Sequence, residues 1–111
     1  MSLITWVKRW LSHRGKALSL YRAGMAKANK QDHYGAIADY STAIHMSEIP
    51  QDVKAMAIYN RALSYSAVHD ESKAAEDLSM LLKMPGLAER VKKEAHRRLE
   101  RLRKRDERAD C

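Results

Sequence analysis

Three observations predict an all-α fold built from helical hairpins. Apolar residues recur at steps of three and four along most of the chain, and no stretch alternates with a period of two. The two prolines, Pro50 and Pro85, both stand at element boundaries. A helix–turn–helix unit over residues 51–86 also recurs 38 residues earlier, over residues 16–46. A fixed period of this size is the mark of a helical repeat array.

The elements follow in chain order. Residues 1–14 form an amphipathic N-terminal segment. Leu3, Ile4, Val7, Trp10 and Leu11 share one helical face, Trp6 flanks it, and Lys8, Arg9 and Ser12 lie opposite. Three readings stay open for it: a segment covering the first hairpin, a basic amphipathic stretch for a membrane surface, or a contact with another protein. Residues 15–30 and 33–46 are the two helices of repeat one (15–50), with Asp32 as N-cap of the second. Ser47-Glu48-Ile49-Pro50 is a link. Repeat two (51–86) places Val53, Ala57, Ile58, Ala62 and Tyr65 on a helix over 51–68. Asp70 then caps a second helix over 71–84, which carries Ala74, Ala75, Leu78, Leu81 and Leu82 and stops at Met84-Pro85-Gly86. From Leu87 to residue 105, Leu87, Val91, Ala95, Leu99 and Leu102 form one narrow apolar row on an otherwise charged helix, the pattern of a capping helix. Residues 106–111 are expected to fray.

The matched positions specify the packing. Lys16, Ala17, Tyr21 and Asp32 fall on Lys54, Ala55, Tyr59 and Asp70. Ala36, Asp39, Ser41 and Met46 fall on Ala74, Asp77, Ser79 and Met84. Small residues sit mid-way along each first helix (Gly24, Ala62) and early in each second helix (Ala36, Ala74), where helices can cross closely. Tyr40 and Leu78, one turn after those alanines, fill the space beside the crossing. A partial third copy sets Val91, Lys92 and Ala95 on Val53, Lys54 and Ala57. This arrangement resembles the tetratricopeptide repeat family, and QDHYGAIADYSTAI is similar to that family's second-helix motif. The resemblance covers roughly residues 16–86. It implies an α-solenoid of antiparallel hairpins, with residues 15–105 as one domain. Two departures stand out. The period exceeds the family's usual 34 or so, with the extra residues at 47–54, and Lys27 stands where a large apolar residue is usual and where Tyr65 sits in the second copy.

Composition narrows the function. The 111 residues carry a net charge of +7. Residues 1–30 hold seven Lys or Arg and no acid, residues 31–86 hold four basic and eight acidic residues, and residues 87–111 hold ten basic and six acidic residues. No run of 18 or more apolar residues predicts a membrane span. The start of the chain lacks a signal-peptide pattern, and the single Cys111 has no internal partner, which points to a cytoplasmic setting.

No catalytic constellation is present. His13, His33, His45, His69 and His96 are scattered, the glycines are isolated, and no metal-ligand spacing occurs. The expectation is a non-catalytic chain without cofactor or metal that binds a protein or peptide. By the resemblance, the first helices line a concave groove showing Leu18, Tyr21, Met25, Ala28 and Asn29 from repeat one. Repeat two would contribute Met56, Tyr59, Leu63, Ser66 and Ala67, with Asn60 alongside. Tyr21 and Tyr59, 38 residues apart, would lie side by side, with Met25 and Leu63 one turn on. Pairing through the groove would make a homodimer; the N-terminal segment could otherwise cover it. One subgroup of the family clamps the C-terminal carboxylate of chaperone tails. Asn60 and Arg98 fall at two of its positions, but Tyr21, Met25 and Glu94 replace Lys, Asn and Lys, which argues against that activity. The alternative reading is a basic adaptor for nucleic acid or an anionic membrane surface. For nucleic acid, Arg97, Arg98, Arg101, Lys104, Arg105 and Arg108 would meet phosphates. Interleaved Glu94, Glu100, Asp106 and Glu107 and the lack of a stacking aromatic weigh against it.

Overall fold

The computed structural model describes residues 2–109. Five helices run α1 Leu3–Asn29, α2 His33–Ile44, α3 Gln51–Ala67, α4 Glu71–Leu82 and α5 Glu89–Ala109, and no strand occurs among the described residues. Successive helices pack on one another, and α1 also packs directly on α3. The result is elongated, 63 × 30 × 19 Å.

The 38-residue repeat of the sequence is present in the backbone. Helices α2 and α4 begin at His33 and Glu71 and end at Ile44 and Leu82; α1 and α3 end at Asn29 and Ala67; α3 and α5 begin at Gln51 and Glu89. Each of these pairs is 38 residues apart. The turns repeat as well. Asp32 Oδ1 accepts from Gly35 N at 3.0 Å and Asp70 Oδ1 from Lys73 N at 3.2 Å, so both expected caps form. Before each cap, the first helix closes in a Schellman motif. Asp32 N donates to Lys27 O and Gln31 N to Ala28 O, matched by Asp70 N to Tyr65 O and His69 N to Ser66 O. The motif needs a left-handed residue, supplied by Gln31 (φ 68°) and His69 (φ 64°). Each six-residue link also holds one left-handed residue, Glu48 (φ 61°) and Gly86 (φ 73°). Only Gly86 adopts this region without Cβ strain. His69 is exposed, so His69→Gly should raise stability by up to about 1 kcal/mol. An unchanged or lowered urea midpoint would contradict the strain argument.

The core lies where the small residues allow close approach. Ala17, Ala36, Ala43, Ala57, Ala62, Ala74 and Ala95 are fully buried, and Tyr40, Ile58, Leu78 and Leu81 fill the spaces between them. Ala74 has no exposed surface, so Ala74→Leu should overpack the α3–α4 crossing and cost about 1–3 kcal/mol. A variant melting with the wild type would break the repeat register. The expected α5 stripe is also seated: Ala95 and Leu102 are buried, and Leu87, Val91 and Leu99 are partly so. Arg105 reaches back to Glu71 at the start of α4, at 3.0 Å.

Several expected boundaries move. Residues 1–14 are not a separate segment. From Leu3 onward they are the first turns of α1, which runs without a break through Gly15. Ser2 caps it, its Oγ accepting from Thr5 N at 3.3 Å. A continuous helix cannot fold back on itself, so residues 3–12 do not cover the groove; they project from the body with their apolar side chains exposed. Helices α2 and α4 end two residues earlier than expected, because the link turns with Glu48 and Gly86 begin there. Helix α5 begins at Glu89 rather than Leu87 and continues to Ala109, past the expected fraying point at 106. The expectations for Met1, Asp110 and Cys111 lie outside the described residues.

Candidate functional site

The first helices are tied by one contact made twice. Tyr21 on α1 accepts from Asn60 Nδ2 on α3 at 3.0 Å. Tyr59 on α3 accepts from Arg98 Nε on α5 at 3.1 Å, with the guanidinium 5.9 Å from the ring centroid. Both pairs are 39 residues apart, so the tie from α5 to α3 uses the same repeat positions as the tie from α3 to α1. The connecting side chains differ in reach. Short Asn60 spans directly packed helices, whereas long Arg98 spans a gap.

That gap is a cleft of about 910 Å³ between the first halves of α3 and α5. Ala55, Met56, Met84, Leu87 and Val91 give it an apolar lining, and Tyr59 and Asn60 add polar tips. Beyond the Tyr59–Arg98 bridge the gap continues as a pocket of about 110 Å³ containing Leu63, Ser66 and Arg101. Asp52, Glu94, Arg90, Lys93 and Arg97 also line the cleft. Its two carboxylates are already engaged. Arg14 grips Asp52 with two bonds of 3.1 and 2.9 Å, which hold this carboxyl below the usual range. Glu94 pairs with Arg97 at 3.3 Å and Arg98 at 3.0 Å. No carboxylate among the described residues pairs with Arg90 or Lys93, so the cleft presents net positive charge.

The expected groove residues divide between several places. Met56, Tyr59 and Asn60 line the cleft and Leu63 the smaller pocket. Tyr21 is buried, its ring 6.0 Å from that of Tyr40. Burial pushes the Tyr21 phenol up, opposed by the Asn60 bond, and pushes Tyr40 up to about 12. Leu18 and Ala28 are half-buried, while Met25 and Asn29 are exposed and do not line the cleft. The expected patch of Tyr21, Tyr59, Met25 and Leu63 is therefore not assembled, because Tyr21 turns into the hairpin core. The open apolar surface lies one repeat further on, with α5 as its second wall. The missed lining residues Met84, Leu87 and Val91 read in sequence only as a helix stop and the start of a cap.

A second cluster is structural. Arg61 donates from Nε and Nη2 to both Asp77 oxygens at 2.8 and 2.7 Å, and from Nη1 to Ser41 Oγ at 3.1 Å. Arg61 and Asp77 are buried, and the hydrogen bond to Asp77 raises the Arg61 pKa. In repeat one the matching Asp39 is met by Lys27, whose Nζ lies 2.9 Å from Oδ2, a charge contact without hydrogen-bond alignment. This accounts for Lys27 at the place of Tyr65. Each repeat keeps one acid on its second helix and one cation on its first, displaced by a turn between copies. On α5, Arg97, Arg98 and Arg105 of the six candidate phosphate contacts are held in ion pairs.

Among the described residues no group of three or more His, Cys, Asp or Glu side chains is gathered as a metal site, and no helix is long and apolar enough to cross a membrane. Comparison with known proteins gives no family model, no curated protein and no solved structure that matches this chain.

Proposed function

We propose that the chain is a small α-solenoid of tetratricopeptide-like hairpins that binds a segment of a partner protein in the α3–α5 cleft and performs no chemistry. The 38-residue recurrence of helix ends, caps and left-handed turns supports the solenoid reading, as does the doubled Tyr–Asn and Tyr–Arg tie. The cleft itself carries the functional reading. Its volume of about 910 Å³ lies within the usual range for ligand sites, roughly 300–1,000 Å³. Met56 and Met84 adapt to varied shapes, and Tyr59 offers area with a fixed hydroxyl. Arg90 and Lys93, beside acids that are already paired, favour a segment with apolar side chains flanked by carboxylates.

Selection from a displayed random peptide library, followed by titration of the selected sequences, tests this. Acidic, apolar peptides should be enriched. Met56→Glu should weaken their binding by about tenfold or more, because it places an unpaired charge against the apolar ligand. Lys93→Glu should weaken binding most at low salt. Enrichment of basic peptides, or binding indifferent to Met56→Glu, would overturn the proposal.

A further inference from the structure

The first three turns of α1 are the largest unexplained feature of the surface, and they lie outside the cleft. Helix α1 is ten residues longer than α3, its counterpart in the repeat. The surplus projects past the α2–α3 link, to which Arg9 is tied through Glu48 at 3.1 Å. On this arm Leu3 is 75% exposed, Ile4 67%, Trp6 59%, Leu11 54% and Trp10 48%. With Val7 these side chains occupy one face and its flank, in continuation of the face that Ala17, Tyr21 and Gly24 bury further along. A patch this apolar is seldom left bare.

We propose that this arm docks on an anionic lipid surface, lying in the interface with Trp6 and Trp10 at headgroup depth. Charge selects this occupant. Residues 1–30 carry seven cations and no acid. Arg9, Arg14 and Lys27 are paired within the molecule, which leaves Lys8 on the arm and Lys16, Arg22 and Lys30 behind it without an acid among the described residues, so two arms laid together would repel one another. The acidic middle of a second copy offers little attraction. Of the eight carboxylates in residues 31–86, five are in ion pairs within the molecule and two more cap helices. Only Glu76 has neither role among the described residues. An anionic leaflet supplies the missing negative charge, at about 1 kcal/mol for each cation near the surface, or about fivefold in binding. The arm is too short to cross a bilayer, and a free peptide of its length would be a marginal helix. Here it is the extension of a packed helix, fixed through Arg9–Glu48 and Arg14–Asp52, so the cost of ordering it is met before it binds.

The chain's two tryptophans, Trp6 and Trp10, both lie on the arm, so intrinsic tryptophan emission reports on it alone. The experiment mixes the full chain with phosphatidylcholine vesicles, with and without phosphatidylserine, and follows emission and co-flotation at low and high salt. The expected result is a blue shift and flotation with the phosphatidylserine vesicles only, reduced by salt. The double variant Ile4→Asp/Leu11→Asp changes two exposed residues and should keep the helix signal and thermal midpoint while abolishing both effects. Lys8→Glu should weaken partition by roughly tenfold or more at low salt. Unchanged emission with anionic vesicles would overturn the proposal. So would equal flotation with both vesicle types, or a blue-shifted dimer in solution that vesicles fail to dissociate.

Discussion

Gly24→Ala should destabilise the protein by about 1–2 kcal/mol, while Gly15→Ala, the same substitution in the same helix, should stabilise it by up to about 1 kcal/mol. A Cβ on Gly24 would sit 2.5 Å from Tyr40 Cε1, 2.8 Å from Cδ1 and 3.0 Å from Cζ. The Tyr40 ring is buried and backed by Tyr21, so it cannot yield cheaply, and the clash outweighs the gain in helix propensity. A Cβ on Gly15 meets nothing within 4 Å, leaving only the propensity gain. The repeat sharpens the test. Gly24 and Tyr40 correspond to Ala62 and Leu78, a larger residue opposite a smaller one. The double variant Gly24→Ala/Tyr40→Leu rebuilds the repeat-two pair inside repeat one. It should be more stable than the sum of the single effects by about 0.5–3 kcal/mol, read from denaturant unfolding of all four proteins. Additive effects would mean that the two crossings are not equivalent.

Asp77→Ala should be the most damaging single change, costing about 3–5 kcal/mol. It strands the buried Arg61 guanidinium with Ser41 as its remaining hydrogen-bond partner. Removing both charges with Arg61→Met/Asp77→Ala should cost less than Asp77→Ala alone, because no uncompensated charge remains in the interior. Asp39→Ala should cost less than Asp77→Ala. Its partner Lys27 is nearly half exposed and can turn its ammonium to water. Equal losses at Asp39 and Asp77 would contradict this ordering.

These cases also show where the sequence was readable. The repeat, the Asp32 and Asp70 caps, the buried Ala36 and Ala74 and the α5 stripe were all legible, because each depends on residues within one hairpin or on strict spacing. The continuity of α1 was not. The amphipathic stretch to residue 14 looked distinct from the repeat that follows, yet the helix runs on through Gly15, since a helix absorbs one glycine for about 1 kcal/mol. The open cleft lies one repeat beyond the expected α1–α3 face for a different reason. Matched positions say that Tyr21 and Tyr59 are equivalent on their helices, but not what each neighbour does. Asn60 bonds to the buried Tyr21 across directly packed helices, whereas Arg98 bridges a gap beside Tyr59 that is open as the cleft. That difference lies in side-chain reach across two repeats, which periodicity does not encode. The Lys27 departure was legible in principle. Asp39 and Asp77 match, and a matched acid on a packed helix calls for a cation nearby.

The central claim is that the apolar wall between α3 and α5 receives a partner segment. Amide chemical-shift mapping of the full chain, titrated with a library-selected peptide, tests it most directly. The account predicts shifts confined to residues 51–60 and 84–97, with the Tyr59 and Arg98 side-chain signals moving together. Shifts concentrated on the outer face of α4 or on the first three turns of α1, with residues 84–97 unmoved, would contradict it.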